Sequence, residues 1–223
     1  MRKEIKILAV ITLIVVIAAI MGTSYYRKSK QGELTSTEPD SRLVRPDSPA
    51  LGPADAPVTL VEFLDPECES CRAFNPVIKQ LLKEYEGKIR LVVRYMPLHP
   101  NSRLAAAFTE AAGEQGKYWE MQEILFRRQP EWGERHDQPA SAPQETPTVL
   151  FERYATEIGL DLERVKNSVA QNQFAAKVER DLQDGQSLGV SRTPTFFVNG
   201  RRLMRFSRED LKALIDDELR KQP

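Results

Sequence analysis

The chain has 223 residues, 41 % of them hydrophobic and 29 % charged, with two cysteines and a formal net charge of zero. The first 30 residues hold six of the basic and one of the acidic side chains, so the remainder carries 26 basic against 31 acidic. That acidic balance argues against nucleic acid as a partner, and the length suits one domain, or one domain carrying an insertion.

Residues 7–21 form an apolar run broken only by Thr12, and 22–26 extend it with Tyr25 and Tyr26. Tyrosines are favoured at a membrane interface, and about 20 residues span a bilayer. A cleaved signal peptide is the rival reading. No clear small-residue cleavage site follows, and Tyr25-Tyr26-Arg27-Lys28 reads as the exit of an anchor. Residues 1–28 are therefore expected to be a cytoplasmic tip and an uncleaved transmembrane helix. The flanking basic residues balance, so they do not decide its orientation. Residues 29–56, rich in Ser, Pro, Asp and Glu, read as a flexible linker. Residues 57–223 form the folded domain.

Val58–Leu64 is a mostly apolar strand, as expected in the middle of a sheet covered on both faces. Glu62 is its anomaly. Either it turns to solvent at an edge, or it is buried, where its pKa would rise toward the range useful for proton transfer. The second reading makes it a proton acceptor for Cys71. Next comes Phe63-Leu64-Asp65-Pro66-Glu67-Cys68-Glu69-Ser70-Cys71, at the head of a helical pattern. A Cys-x-x-Cys between strand and helix reads as a redox pair. A thiolate at a helix N-terminus is stabilised by the dipole and by free N–H groups, so Cys68 is placed to attack and Cys71 to resolve. Three readings compete with this one. Half a zinc site would need two more ligands, and only His99 and His136 are on offer, without ligand-pair spacing. A structural disulfide would close almost no loop. Two inert thiols could also lie together by chance.

Phe74, Val77, Ile78, Leu81, Leu82 and Tyr85 recur at helical spacing, with Pro76 expected to kink the helix. Ile89–Tyr95 is a second strand. Residues 96–100 form a turn in which His99 reads as a turn or capping residue rather than a catalytic one. Helices are expected over 101–116 and 117–126, the latter with Tyr118, Trp119, Met121 and Leu125 as core. Residues 127–147 carry four prolines and read as a loop that exposes Trp132. Helices resume over 148–158, 161–170 and 173–188, so 101–188 is an all-helical block between strand-bearing ends. Thr195–Val198 is a strand, Asn199-Gly200 a hairpin turn, 201–206 the return strand, and Ser207 caps a last helix.

These stretches resemble the thioredoxin-fold disulfide oxidoreductases, most closely the DsbA-like branch with an inserted helical domain. The resemblance rests on residues 52–63 leading to Cys68-x-x-Cys71, on Leu98-His99-Pro100-Asn101, on residues 112–119, and on Gly189-Val190 through Gly200. It implies an α/β thioredoxin fold with 101–188 as the helical insertion, following the transmembrane anchor. It further implies that Cys68 is the exposed nucleophile and Cys71 its buried partner. The Thr193-Pro194 bond would be cis and face the pair, with the Thr193 backbone pairing with substrate beside a groove shaped by the insertion. Glu62 falls where the family keeps a buried acid. No cofactor beyond the Cys68–Cys71 disulfide, and no metal, is expected. The dipeptide Glu69-Ser70, which tunes the pair, departs from the Cys-Pro-His-Cys of strongly oxidising members. Asp65, Glu67 and Glu69 surround Cys68 with negative charge, which Arg72 offsets in part. The Cys68 pKa is thus expected above the roughly 3.5 of DsbA, and the potential below its roughly −120 mV.

The function expected is that of a membrane-tethered thiol:disulfide oxidoreductase, working as a disulfide-forming oxidase on cysteine-containing envelope or secreted proteins. Its domain would lie in the periplasm or extracytoplasmic space, as a monomer. A quinone-linked membrane oxidase or a membrane electron donor would recycle it. The alternatives are a dedicated reductase or isomerase, serving cytochrome maturation or metal resistance, and a non-catalytic folding or binding module.

Overall fold

The computed structural model describes residues 41–134 and 145–222. The expected anchor over 1–28 and the linker up to residue 40 lie outside the described residues. Among the described residues no helix is long and apolar enough to cross a membrane.

Among the described residues five strands form one sheet: β1 (Ala50–Leu51), β2 (Val58–Leu64), β3 (Ile89–Tyr95), β4 (Thr195–Val198) and β5 (Arg201–Arg202), in the order β1-β3-β2-β4-β5. The β2–β3 pair is parallel and the other pairs are antiparallel. Strand β2 lies at the centre, and all its residues but Thr59 are buried. Its side chains alternate between two faces. Leu60 and Leu64 join a core with Ile78 and Leu81 of α1 (Glu69–Glu84) and Leu211 and Ile215 of α8 (Arg208–Arg220). Val61 and Phe63 point the other way, to Leu43, Met96 and Leu182. Glu62 shares the face of Leu60 and Leu64, so the strand period aims it toward the layer that carries the cysteines.

Between β3 and β4 lie α2 (Ser102–Gly113), α3 (Tyr118–Arg127), α4 (Gln129–Trp132), α5 (Pro147–Glu157), α6 (Leu162–Ala170) and α7 (Ala175–Ser187). Helices α2 to α6 share a separate core that includes Phe108, Met121, Leu125, Phe151 and Val165. Helix α7 does not belong to it. Its Leu182 packs on the sheet face of Val61 and Phe63. The expected helical block over 101–188 therefore divides into an insertion with its own core and a helix that serves the sheet. Gly185 makes the close approach possible. A Cβ there would stand 3.0 Å from Met96 Sδ and 3.1 Å from the Phe63 ring. Arg94 of β3, 0 % exposed, locks the contact. Its Nε donates to Asp181 Oδ1 at 3.0 Å and its Nη2 to Asp184 Oδ2 at 2.6 Å.

Two further expectations are corrected. The linker expected over 29–56 does not extend to its end as a free spacer. Leu43 is 3 % exposed, β1 pairs Ala50 with Val92, and Arg45 reaches both Asp184 carboxylate oxygens, at 2.9 and 2.7 Å. A polar average over that stretch conceals the few apolar side chains that dock. Trp132 is buried rather than exposed, because residues 129–132 form a helical turn. Its Nε1 donates to the Leu125 carbonyl at 3.0 Å, and its ring meets Phe151 edge-on at 4.8 Å. The hairpin at Asn199-Gly200 forms with positive φ at both residues, but β5 is confined to Arg201–Arg202.

Candidate active site

Cys68 is the N-cap residue of α1, in extended conformation at φ −70° and ψ 122°. An N-cap usually presents a Ser, Asp or Asn oxygen to the free N–H groups of the first turn. Here a sulfur occupies that place. The Cys71 thiol donates to it most strongly, burial works in the opposite sense, and the Thr193 side chain and the N–H groups of Cys71 and Ser70 add to the stabilisation. The balance brings the Cys68 pKa down to about 5. Its Sγ also lies 3.4 Å from the Thr193 carbonyl oxygen. The Thr193-Pro194 peptide bond is cis. Both cysteines are free thiols, and Cys68, expected to be exposed, is 8 % exposed because it packs in the sheet core beneath the Thr193-Pro194 loop.

Cys71, one turn into the helix, is fully buried. Burial pushes its thiol well above 9, and the nearby charges of Cys68 and Glu62 push the same way. Glu62 is 5 % exposed in the central strand, between Val93 and Phe196. Burial raises its carboxyl to about 8, and Cys68 adds to the effect. Glu62 also lines a cleft of about 440 Å³ with Lys79 and Trp119. The site thus holds one thiol that ionises easily, one that resists ionisation, and a carboxyl that exchanges its proton near neutral pH.

Two of the three carboxylates expected to crowd Cys68, Asp65 and Glu67, are engaged elsewhere. Buried Asp65 accepts from the N–H groups of Glu67 at 2.8 Å, Leu98 at 2.6 Å and His99 at 3.2 Å, and from the Ser102 hydroxyl. The His99 ring lies 2.7 Å from it. Burial lowers the imidazole pKa, but the bond to Asp65 outweighs this and raises it overall. Glu67 accepts from Asn101 N at 2.6 Å, Asn101 Nδ2 at 2.8 Å and Glu134 N at 3.0 Å. Arg72, expected to offset charge at Cys68, instead donates from Nε to Gln129 Oε1 at 3.0 Å. Gln129 in turn donates to the carbonyls of Pro66 at 2.9 Å and Cys68 at 3.2 Å. This brace on the cysteine loop was missed in sequence, because 127–147 reads as loop. The signal that could have found it is a Pro just inside a short turn that ends in Trp132.

Glu69 and Ser70 are exposed. Ser70 lines a groove of about 720 Å³ with Thr193, Pro194, Arg192, Met204 and Phe206. The insertion was expected to shape this groove, but among the described residues none that lines it falls within 101–188. Among the described residues no group of three or more His, Cys, Asp or Glu is placed to hold a metal ion.

A family model described as Thioredoxin matches residues 45–217. Disulfide bond formation protein D of Bacillus subtilis is 31 % identical over 181 residues, covering 77 % of this chain and 77 % of its own. The crystal structure of oxidised BdbD from Bacillus subtilis superposes with a TM-score of 0.67 at 28 % identity, covering 83 % of this chain and 97 % of that one. The Na(+)/H(+) antiporter NhaA 3 of Salinispora tropica is 38 % identical over 172 residues, 76 % of this chain but 23 % of the antiporter. The chain thus spans under a quarter of that relative's length. With a family match over most of the chain, and a relative named for disulfide bond formation aligned across both sequences, the chain belongs to the thioredoxin family.

Proposed function

We propose that the enzyme is a disulfide-forming oxidase for cysteine-containing envelope or secreted proteins, tethered to the cytoplasmic membrane with its domain on the outer side. One observation supports the oxidase direction: the Cys68 sulfur sits at the mouth of α1 among converging donors that bring its pKa down to about 5. Stabilising the thiolate stabilises the dithiol form, which makes the disulfide a ready electron acceptor.

In the oxidised enzyme a substrate thiolate attacks Cys68 Sγ, and the Cys68–Cys71 bond breaks. Cys71 leaves as a thiolate and takes a proton from Glu62, whose carboxyl at about 8 still holds one at neutral pH. A second substrate thiolate then attacks the substrate sulfur, and Cys68 departs as a stabilised thiolate. Two electrons pass from the substrate to the enzyme. Recycling reverses the proton step: Glu62 accepts the Cys71 proton as a membrane partner, a quinone-linked oxidase, takes the electrons. The cleft lined by Glu62, Lys79 and Trp119 gives that proton a route to solvent. The Thr193 backbone is the pairing edge for the substrate chain, and Glu69 and Ser70 tune the pair. The enzyme acts as a monomer and needs no cofactor beyond the cysteines. The apolar run over 7–21, with Tyr25 and Tyr26 at its exit, supports the tether.

A reductase reading has its own support, since a Cys68 pKa of about 5 falls between the values of about 3.5 for DsbA and about 7 for thioredoxin. The deciding measurement is the reduction potential of the full chain, in detergent, against glutathione. A value above about −180 mV is expected for the oxidase. A value near −250 mV or below would replace it with a reductase fed by a membrane electron donor. A Cys68→Ser protein that still rescues a deletion strain would instead favour a binding module.

A further inference from the structure

The groove beside the cysteine pair carries a charge pattern that the oxidase reading leaves unused. Its floor is Pro194, Thr195 and Phe196, and its rim carries Arg192, Arg202, Met204 and Phe206. Met204 is 81 % exposed and Phe206 52 % exposed. Phe206 is held in place nonetheless, with its ring 4.5 Å from Phe74 and stacked on Phe196. The apolar rim is therefore a built surface. Among the described residues no acidic side chain lines the groove.

The neighbouring arginines are neutralised. Arg201 pairs with Asp217 and Glu218, Arg205 with Asp210, and Arg208 with Glu84. The two arginines of the groove differ from them. Arg202 donates from Nη1 to the Gly189 carbonyl at 2.9 Å, which fixes its guanidinium without cancelling its charge. Arg192 has its backbone pinned, since its carbonyl accepts from the Thr195 hydroxyl at 2.7 Å, while its side chain is exposed. Neither makes an ion pair among the described residues. The Thr193 carbonyl lies 3.4 Å from Cys68 Sγ, so a chain seated along this loop lies within reach of the reacting sulfur.

We infer that the groove takes an extended, cysteine-bearing polypeptide segment with a carboxylate side chain and an apolar side chain within a few residues of the cysteine, and disfavours basic segments. The inference rests on the oxidoreductase reading above and names the substrate class of that site. The two cations supply the charge complement, and Met204 and Phe206 supply the apolar seat.

The test uses the oxidised full chain in detergent and three reduced peptides, identical except for Glu, Gln or Lys two residues from the cysteine. Each rate of enzyme reduction is normalised to that peptide's rate with hydroxyethyl disulfide, which removes the effect of the neighbour on the thiol itself. The Glu peptide is expected to react about two- to fivefold faster than the Gln peptide, the size of an exposed ion pair, and the Lys peptide slower. The preference is expected to collapse near 1 M salt, where screening acts within about 3 Å, and in Arg192→Glu, whose new carboxylate cancels the charge of Arg202. Equal normalised rates in the wild type, or an order unchanged in Arg192→Glu, would overturn the inference and leave the oxidase reading intact. If no peptide reduces the enzyme while dithiothreitol does, the oxidase reading and the inference fall together.

Discussion

At Cys68 the thiolate rests on donors from three places: the Cys71 thiol, the Thr193 side chain and the N–H groups of the first turn of α1. Thr193→Val removes one of them and keeps the shape. A hydrogen bond to a charged group contributes about 1.5 kcal/mol or more, so the Cys68 pKa should rise by about one unit. The potential should fall by about 30 mV. Thiolate absorbance against pH checks the first value and equilibration with glutathione the second; an unmoved titration would assign the effect to the backbone alone. Glu62 follows a different sign. Its folded pKa lies near 8 against an ordinary 4.5, so between those values the folded state holds a proton that the unfolded chain has released. Stability is therefore lost as pH rises through that window. In Glu62→Gln this loss is absent, so the variant should gain on the wild type from pH 5 to 8 in urea midpoints of the reduced protein, while Cys71-dependent steps slow. The Glu62 anomaly was legible because an acid interrupts an apolar strand. Asp65 and Gln129 were not legible as a brace, because their partners lie 33 and 63 residues away along the chain.

At the scale of the element, helical spacing located α1 to α3 and α5 to α8, and apolar runs with a hairpin turn located β2 to β5, while β1 fell within the expected linker. Neither says what a helix covers. A period of 3.6 shows that 175–187 has an apolar face, but not whether that face meets the insertion or the sheet. The answer lies in Gly185, where the space for a side chain is taken by Met96 and Phe63. On helix propensity alone, replacing a mid-helix glycine would stabilise by up to about 1 kcal/mol. Contact at 3.0 Å with the Met96 sulfur and at 3.1 Å with the Phe63 ring edge reverses that sign. Gly185→Val should destabilise by about 1–3 kcal/mol, read as a lower urea midpoint with an unchanged slope; a stabilised variant would show that α7 can move off the sheet without cost.

For the whole molecule, the cysteine loop lies between two cores. Leu64, Cys68 and Cys71 belong to the sheet core, while Trp132, beside Gln129, belongs to the insertion. Asp65 and Glu67 fasten the loop to the start of the insertion at 98–102, and Gln129 fastens it to α4. The folded body also begins earlier than composition suggests. Leu43 packs with Val61, Phe63 and Val190, although it sits in a stretch that reads as a linker. Leu43→Ala should therefore destabilise by about 2–4 kcal/mol, a loss that a free spacer would not show in thermal unfolding. The fold class was legible because its signals are local: a strand, a Cys-x-x-Cys, a hairpin turn. The docking of 41–56 was not, since it depends on single apolar side chains meeting a distant surface.

The placement of a sulfur at a helix cap ties electron transfer to folding in a closed thermodynamic cycle. Disulfide formation discharges the anion at the mouth of α1, so the dithiol and disulfide forms do not unfold with the same free energy. The cycle requires the difference between those free energies to equal the difference between the potentials of the folded and unfolded cysteine pairs multiplied by the charge of the two electrons transferred. A calorimeter thus reads the oxidising strength of this protein without an electrode. The Cys68 part of the gap should widen in favour of the dithiol as pH climbs from about 5 toward the ordinary thiol value of 9.0.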